Sequence, residues 1–535
     1  MIYIIGSGPS GISCAHALLK KGYNVTMLDV GMTLEKNITK DINILKKNNK
    51  QEWDTNIIRK IKGSISASIK GVPKKYLFGS NYPYYGSNEF LNVKDSNIEW
   101  RASLAKGGLS TVWGAAVLPY LDKDIRDWPI NINHLVPYYH KVFNFMDLSS
   151  SKDDLELIFP LYSDQNNTLK KSKQASILLN NLRKSKALLN QRGIFFGSSR
   201  LAVQSKKNKE KKECVYCGLC LYGCPYGLIF NSGKMIKSLY RLGNFTYLSN
   251  ILVEKIIETK TGVVIKAKNG GKKVNFKGKK VFLASGVLST TKILLNSMNE
   301  YDKSLKLKYS QYFLLPLFNY DIVKGVQKEE LHTLSQAFIE IFDKSISLNT
   351  IHLQIYTYND FYEKVLHKFS WFLNPFIKGI ICNFLGRFMI VQGYLHSSIS
   401  PIIKIHQKKN MNNPDIPSLH INWKKDKRFR KMKRKIKKIM FKLFKHKNLL
   451  RFFPLFPLLK IEPPLSGAHF GGSFPMKKKP EKFESDLWGR PFGYNNLHIV
   501  DATIFPSIPA TTITLSIMAN SYRIASTFEE ANKQR

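Results

Sequence analysis

The sequence has few cysteines, few acidic residues and no long apolar run. Six of its 535 residues are cysteine, too few for a disulfide-rich fold. A stretch of about 18 uncharged apolar residues would predict a transmembrane helix, but the nearest candidate, 371–395, is interrupted by Asn374, Lys378, Asn383 and Arg387. The apolar start of the chain is not preceded by a basic segment or followed by a small-residue cleavage site. We therefore expect a cytoplasmic protein in a reducing compartment.

Acidic residues are strongly outnumbered, since 38 Asp and Glu stand against 83 Lys and Arg, for a formal net charge of +45. This charge would attract anionic surfaces such as lipid headgroups, nucleic acid or phosphorylated substrates, without choosing among them. The excess is mostly lysine in a chain also rich in asparagine and isoleucine, so compositional bias explains much of it. No basic module with interleaved aromatic residues occurs, and we expect no nucleic-acid partner.

The chain opens with a strand, a glycine-rich turn, a helix and a second strand. Gly6 permits the tight bend, Gly8 lets the backbone approach a pyrophosphate, and Gly11 lets the helix pack close to the sheet. Asp29, at the end of the second strand, is placed to accept hydrogen bonds from a ribose hydroxyl pair. The pattern predicts a dinucleotide-binding βαβ unit but does not separate FAD from NAD.

Further segments share the pattern of one family. They are Lys106-Gly-Gly-Leu-Ser-Thr-Val-Trp-Gly-Ala-Ala116, Asp127-Trp-Pro129, Pro137-Tyr-Tyr139, Phe282-Leu-Ala-Ser-Gly-Val-Leu-Ser289, His469-Phe-Gly-Gly-Ser-Phe-Pro-Met476 and Leu497-His-Ile-Val-Asp-Ala-Thr-Ile-Phe-Pro506. In this order the segments resemble the glucose-methanol-choline (GMC) family of FAD-dependent oxidoreductases. The segment 110–113 resembles the pyranose-oxidising branch of that family.

The resemblance implies an α/β fold in which a Rossmann-like FAD-binding domain carries a second, mainly antiparallel substrate domain of α+β type. Short strand-like runs after residue 305 agree with the antiparallel sheet. We expect a discontinuous FAD-binding domain at 1–35, 95–150, 200–304 and 461–535, a substrate-binding domain at 305–460, and peripheral excursions at 36–94 and 151–199.

The resemblance also assigns one loop to the flavin. Gly107 and Gly108 leave room where a flat ring system lies against backbone. Ser110, Trp113 and Gly114 belong to the same loop. In the pyranose-oxidising branch a histidine at position 112 can bond covalently to the flavin, whereas this chain has valine there. We therefore expect noncovalent FAD.

The C-terminal block completes the implied flavin site. Asp501 is similar to the family residue near the ribityl chain and phosphate. The free amides near Ala510 and Thr511, ahead of the last helix, could stabilise negative charge on the reduced flavin.

His469 is the residue expected to act as the base. The family places a histidine here beside the flavin N5, where it takes the hydroxyl proton while hydride leaves the same carbon. The usual second His or Asn is replaced by Thr512, counting from Pro506 without gaps. Threonine can hydrogen-bond a substrate oxygen but is not a base at neutral pH, and Thr511 or Thr514 could fill the place instead.

These residues predict an FAD-dependent oxidoreductase acting on the CH–OH group of a sugar-like or other alcohol donor, with hydride passing to flavin N5. Two alternatives stay open, namely a flavin protein without net redox, such as an isomerase, and an iron–sulfur electron-relay subunit. The region 305–460 carries no motif, so the sequence does not identify the substrate.

Cys214, Cys217, Cys220 and Cys224 have the spacing of the cysteine run in bacterial ferredoxins. The chain holds one such run, so an iron–sulfur cluster would need Cys224 or one of the remote cysteines, Cys14 and Cys382, to complete it. A cluster and a purely structural loop both stay open, with zinc less favoured because all-cysteine zinc sites usually come as two separated pairs. Because of the possible cluster and the basic surface, we expect a dehydrogenase rather than an oxidase, with a quinone or cytochrome as electron acceptor.

Between Lys427 and Lys447 apolar residues recur at spacings near 3 and 4 among basic residues, which predicts an amphipathic basic helix. Such a helix can bind anionic headgroups, here at the inner face of a membrane. It can also lay its apolar side in the protein core, and we favour this second interpretation.

Overall fold

The structure, a computed structural model, describes residues 1–63, 74–94, 96, 98–165, 167–206, 212–360, 386–409, 417–424, 427–444, 452–462, 465 and 467–532. Its α-helices are α1 (Pro9–Lys20), α2 (Lys36–Lys47), α3 (Thr55–Gly63), α4 (Ser87–Leu91), α5 (Val136–Phe143), α6 (Lys173–Lys184), α7 (Lys186–Gln191), α8 (Ser232–Leu239), α9 (Val287–Met298), α10 (Lys427–Phe444) and α11 (Thr514–Thr527). Its strands are β1 (Ile2–Ile5), β2 (Val25–Leu28), β3 (Val93–Lys94), β4 (Ile194–Ser198), β5 (Phe245–Leu248), β6 (Ile251–Thr259), β7 (Gly262–Asn269), β8 (Lys272–Gly278), β9 (Lys280–Leu283), β10 (Leu305–Tyr309), β11 (Gln311–Asn319), β12 (Ala337–Ile341), β13 (Ile351–Tyr356), β14 (Phe388–Leu395), β15 (Ile403–Lys408), β16 (Ser418–Trp423), β17 (Phe452–Pro454), β18 (Lys460–Ile461), β19 (Phe470–Gly471) and β20 (Leu497–Ile499).

The first sheet is parallel, with the strand order β20-β9-β1-β2-β5. Its strands are short apolar runs, as expected where both faces of a parallel sheet are covered. Helices α1 and α11 pack together, and the Ser13 hydroxyl on α1 donates to the Met518 carbonyl on α11 at 2.7 Å. The C-terminal segment therefore packs with the N-terminal βαβ unit, through β20 in the sheet and through α11 against α1.

The second large sheet has the strand order β17-β11-β14-β13-β12-β4, with β18 also paired to β11. All these pairs are antiparallel. Side chains on successive residues point to opposite faces. On one face Phe313, Leu353, Ile355 and Val391 are buried in a core shared with α6 and α10. The other face carries aromatic and polar side chains, and the mainly antiparallel second domain is confirmed.

Helix α10 is the predicted amphipathic basic helix. Its apolar side, formed by Met432, Ile436, Ile439, Met440 and Leu443, is buried in the core below the seven-stranded sheet. The favoured interpretation is confirmed, because this apolar side is not available to a lipid surface. Among the helices of the described ranges, none is long and apolar enough to cross a membrane.

The two stretches expected to be peripheral contribute to the fold. Strand β4 pairs with β12 as an edge strand of the second sheet, and β3 pairs with β16 in a smaller sheet ordered β19-β10-β15-β16-β3. Helices α2 and α3 bury Leu45 and Ile61 against Leu219 and Tyr222 of the cysteine loop. These stretches are thus more than surface excursions, while the domain bounds themselves stay a prediction.

Candidate functional site

The turn between β1 and α1 is built for close backbone approach. Gly6 has φ +99°, and a Cβ there would lie 2.7 Å from the Ala284 carbonyl oxygen. A Cβ on Gly11 would lie 2.0 Å from the Gly6 carbonyl oxygen, whereas nothing lies within 4 Å of the Cβ position on Gly8. No side chain caps the N-terminus of α1, so its first amides point into open space and suit a pyrophosphate.

Asp29 lies buried at the carboxyl end of β2, where it accepts hydrogen bonds from the Ser7 hydroxyl and from the Tyr247 hydroxyl at 2.9 Å. Burial raises the pKa of Asp29 to about 6, while these hydrogen bonds act in the opposite direction. Ser7 also accepts the Gly107 amide at 2.8 Å, which ties the flavin-loop segment to this acid. The carboxylate is therefore fixed in orientation by Ser7 and Tyr247.

The loop 106–116 turns at Gly107, which has φ +98° and leaves no space for a Cβ beside the Gly233 amide at 2.7 Å. The Ser110 hydroxyl donates to the Gly107 carbonyl at 2.6 Å, and the Trp113 indole donates to the Phe230 carbonyl at 2.8 Å. The Ser232 hydroxyl of α8 also donates to the Gly107 carbonyl at 3.0 Å, which holds the loop against α8, and Gly108 and Gly114 face the interior cavity.

Asp501 follows β20 and joins two turns. Its carboxylate accepts the Gly286 amide at 2.9 Å and the Thr290 hydroxyl at 2.6 Å. Burial raises the pKa of Asp501, and the bonds from Thr290 and Thr503 oppose that shift. The carboxylate thus has a structural function at the edge of the cavity.

A cavity of about 850 Å³ lies between the Rossmann-like sheet and the polar face of the antiparallel sheet. Its volume is at the upper end of the ~300–1,000 Å³ typical of ligand and cofactor sites. One wall holds predicted cofactor residues, which are Gly6, Gly8, Asp29, Gly108, Ser110, Trp113, Gly114 and Asp501. The opposite wall comes from alternate residues of β11, β13 and β14. The predicted nucleotide and catalytic residues therefore share one site.

His469 lies in this cavity immediately before β19. Its ring stacks on Tyr394 with centroids 4.9 Å apart and an interplanar angle of 22°. Nδ1 is buried and has no hydrogen-bond partner among the described residues. Burial, with a smaller effect from His352, lowers the pKa of His469 to about 4. The imidazole is therefore neutral at pH 7 and can accept a proton.

At the start of the last helix, some of the residues predicted for the site line the cavity and others do not. Thr512 lines the cavity, as do Ile513 and Thr514. Ala510 and Thr511 do not line it, and Ala510 instead packs behind the wall with Tyr312 and Tyr394. Gly11 and Gly107 likewise do not line the cavity, and their lack of a Cβ permits the close turns.

The four clustered cysteines lie in a partly buried loop and are free thiols. Burial raises the pKa of Cys214 and of Cys217 to about 12. Within the described ranges, no group of three or more His, Cys, Asp or Glu side chains is placed to hold a metal ion. Cys14 is buried in α1, and Cys382 lies outside the described residues.

The loop nevertheless contributes to the site, because Leu221 and Tyr222 within it line the cavity. Its apolar residues pack against α2 and α3. The loop thus has a structural contribution, and the iron–sulfur cluster gains no support.

Several cavity residues were missed by the sequence reasoning. Lys75 donates to the Trp113 carbonyl at 3.2 Å, and burial lowers the pKa of Lys75 to about 8. Gln354, Tyr356 and Tyr394 line the sheet wall. The available signal was the alternation of polar and apolar residues in 352–356, which predicts a strand with one polar face inside a buried segment.

Comparisons with known proteins agree with this geometry. Models of the GMC oxidoreductase family match residues 78–301 and 404–521, and a model of an NAD(P)-binding Rossmann-like domain matches residues 4–34. No curated protein matches the sequence.

Solved structures of similar fold include pyridoxine 4-oxidase from Mesorbium loti, with a TM-score of 0.60 at 12% identity, covering 100% of this chain and 99% of that one. They also include a formate oxidase of Aspergillus oryzae RIB40, with a TM-score of 0.59 at 14% identity, covering 100% of this chain and 98% of that one.

The Rossmann-like sheet, the antiparallel sheet facing it and the cavity between them define a flavin-type oxidoreductase of two domains. The chain belongs to the GMC oxidoreductase family, whose members bind FAD.

Proposed function

We propose that the protein is an FAD-dependent oxidoreductase that oxidises the CH–OH group of a sugar-like or other alcohol, with His469 as the base. The observation that carries the proposal is the position of His469 in the cavity that also contains the nucleotide turn. Its lowered pKa keeps the imidazole unprotonated at neutral pH, as proton abstraction from a hydroxyl requires.

The residues present fit FAD. The uncapped start of α1 and the open space at Gly8 suit the pyrophosphate, buried Asp29 suits a ribose, and Gly108 and Gly114 leave room for the ring system. When bound, FAD would supply the hydride acceptor.

Thr512 is proposed as the partner of His469. Its hydroxyl oxygen accepts the Leu118 amide at 2.7 Å, which leaves the hydroxyl proton for a substrate oxygen. In this arrangement Thr512 orients the alcohol, and His469 takes the proton.

Anaerobic titration with a panel of sugars and alcohols tests the function. We expect one of them to bleach the absorbance of the oxidised flavin without added reductant. A flavin that stays oxidised with every compound, in a protein active only after chemical reduction, would favour the isomerase and contradict the proposal.

The electron acceptor is a separate question. The sequence argument for a dehydrogenase depended on a possible cluster and on the basic surface, and in the described part of the chain the cysteine loop forms no metal-binding group. Formation of hydrogen peroxide in air-saturated buffer would identify an oxidase. Reduction of a quinone or cytochrome, with little peroxide, would identify a dehydrogenase.

FAD is expected to be held without a covalent bond. Val112 is buried in the loop at the position where the related branch can carry a histidine, and a valine side chain has no nucleophile. Acid precipitation of the purified protein should release the flavin into the supernatant. Yellow colour that stays with the washed precipitate would contradict this prediction.

A further inference from the structure

A hydrogen-bonded chain of four side chains crosses the polar face of the antiparallel sheet, and we name it the relay. It consists of Glu340 on β12 and of His352, Gln354 and Tyr356 on β13. Glu340 and His352 are register partners on adjacent strands, and their Oε1 and Nδ1 atoms lie 2.6 Å apart. Gln354 Nε2 lies 3.0 Å from His352 Nε2, and the Tyr356 hydroxyl lies 3.1 Å from Gln354 Oε1.

The hydrogen bonds of the relay all run in the same direction along the chain of side chains. The Gln354 Nε2 group can only donate a hydrogen bond, so the His352 Nε2 atom that it faces at 3.0 Å is the acceptor. The ring proton of His352 is then on Nδ1, towards Glu340. The Gln354 oxygen is thereby turned towards Tyr356, whose hydroxyl donates to it. Every donor in the chain therefore points towards Glu340.

The relay begins behind the cavity and ends in it. Glu340 and His352 are fully buried and do not line the cavity, whereas Gln354 and Tyr356 do. The Tyr356 oxygen lies 3.5 Å from the Cβ position of Gly114, in the loop on the opposite wall. Because its proton is engaged by Gln354, Tyr356 presents lone pairs to the cavity.

Desolvating a buried carboxyl group and imidazole costs free energy. Apolar residues of similar size in a sheet interior commonly give the same or a higher stability of the fold. The opposite face of the same strand shows this, since Leu353 and Ile355 are packed in an apolar core. The proposed proton abstraction by His469 uses neither Glu340 nor His352. Besides the small contribution of His352 to the lowered pKa of His469, the effect of Glu340 and His352 is on the hydrogen-bonding polarity of Gln354 and Tyr356.

We propose that Tyr356 accepts a hydrogen bond from a second donor group of the substrate, and that Glu340, His352 and Gln354 are positioning residues that fix this polarity. The inference rests on the proposed function and names a substrate class, namely an alcohol with a further hydroxyl or N–H group. A methoxy or ether group at the same place offers no proton and leaves the Tyr356 lone pairs unpaired.

The test compares two probes that differ in this group, 4-hydroxybenzyl alcohol and 4-methoxybenzyl alcohol. Aromatic probes suit a wall that contains Tyr312, Phe388 and Tyr394. Dissociation constants are measured by calorimetry on the FAD-loaded protein, and the readout is the methoxy-to-hydroxy ratio of these constants. A merely structural defect weakens both probes and leaves this ratio unchanged.

Tyr356→Phe is expected to lower the ratio by about threefold to tenfold, as the loss of one hydrogen bond does. Gln354→Leu is expected to lower it similarly, because the Tyr356 proton is then released into the cavity. Glu340→Gln should give a smaller decrease, since a neutral amide can present either polarity to His352. Tyr312→Phe, a change of the same size on the same wall outside the relay, should keep the ratio.

An unchanged ratio in the Tyr356→Phe protein overturns the inference, as does a ratio that rises, or wild-type protein that binds neither probe. Flavin absorbance and thermal melting establish that each variant is folded. Calorimetry needs no turnover, so failure of the proposed function would be seen separately, as a flavin that no alcohol of the panel bleaches.

Discussion

A His469→Ala protein is expected to keep its FAD and to reduce it about 10²–10⁴-fold more slowly with the alcohol substrate, the usual contribution of a positioned base. The reason is that His469 is the imidazole that lines the cavity, and its Nδ1 is not engaged by another described residue. The measurement is the anaerobic rate of flavin bleaching in a stopped-flow spectrometer. His140→Ala, at an exposed histidine outside the cavity, is the matched control and should react normally. Full reactivity of the His469→Ala protein would remove this residue from the mechanism.

The pH dependence gives an independent check of the same assignment. Because the pKa of His469 is lowered to about 4, the base is active above that value, and kcat/KM should fall only as pH decreases through about 4. In the unfolded chain a histidine titrates near ~6.5. The unfolded state therefore binds more protons between these values, and this residue lowers the stability of the fold as pH falls from about 6.5 to about 4. A single acid limb near the ordinary histidine pKa would contradict the buried base.

Replacing two glycines of the first turn by alanine, one at a time, should have different effects on protein stability and FAD binding. In Gly11→Ala the new Cβ meets the Gly6 carbonyl oxygen at 2.0 Å, so the turn must shift and we expect a less stable protein that contains almost no FAD. In Gly8→Ala the new Cβ meets nothing within 4 Å, so the fold should be intact. FAD affinity should still decrease, by about tenfold or more, because the pyrophosphate must approach this backbone.

Thermal melting of the apoproteins and titration with FAD separate the two cases. Gly63→Ala also has nothing within 4 Å of the new Cβ and lies away from the turn, so it should match the wild type in both measurements. A Gly8→Ala protein with unchanged FAD affinity would place the pyrophosphate elsewhere.

The sequence predicted those parts of the fold that depend on local pattern. The βαβ unit is contiguous, and its glycines and the terminal acid have fixed spacings, so Gly6, Gly8 and Asp29 could be assigned without a structure. In α10 the recurrence of apolar residues every three or four positions likewise predicted a helix with one apolar side. The cofactor and catalytic roles of these and the other site residues stay predictions, although the structure brings most of them to one cavity.

What the sequence did not predict depends on pairing between distant segments. The sequence of strand β4 carries no signal for its position in the fold, which depends on its pairing with β12, about 140 residues later. Ala510 and Thr511 were assigned from their place ahead of the last helix, and that place does not show which residue of a turn faces inward. The relay was missed because Glu340 and His352 become neighbours only through the register of two strands.

In the antiparallel sheet, even-numbered residues of the central strands line the cavity and odd-numbered residues form the hydrophobic core. On β11, β13 and β14, residues such as Leu314, Gln354 and Ile390 face the cavity, while their immediate neighbours Phe313, Leu353 and Val391 fill the core. A combinatorial library that varies every second residue of these strands could therefore retune substrate preference while leaving the hydrophobic packing untouched. Natural divergence has the same route open, since new specificities can accumulate on one face of the sheet at little risk to folding.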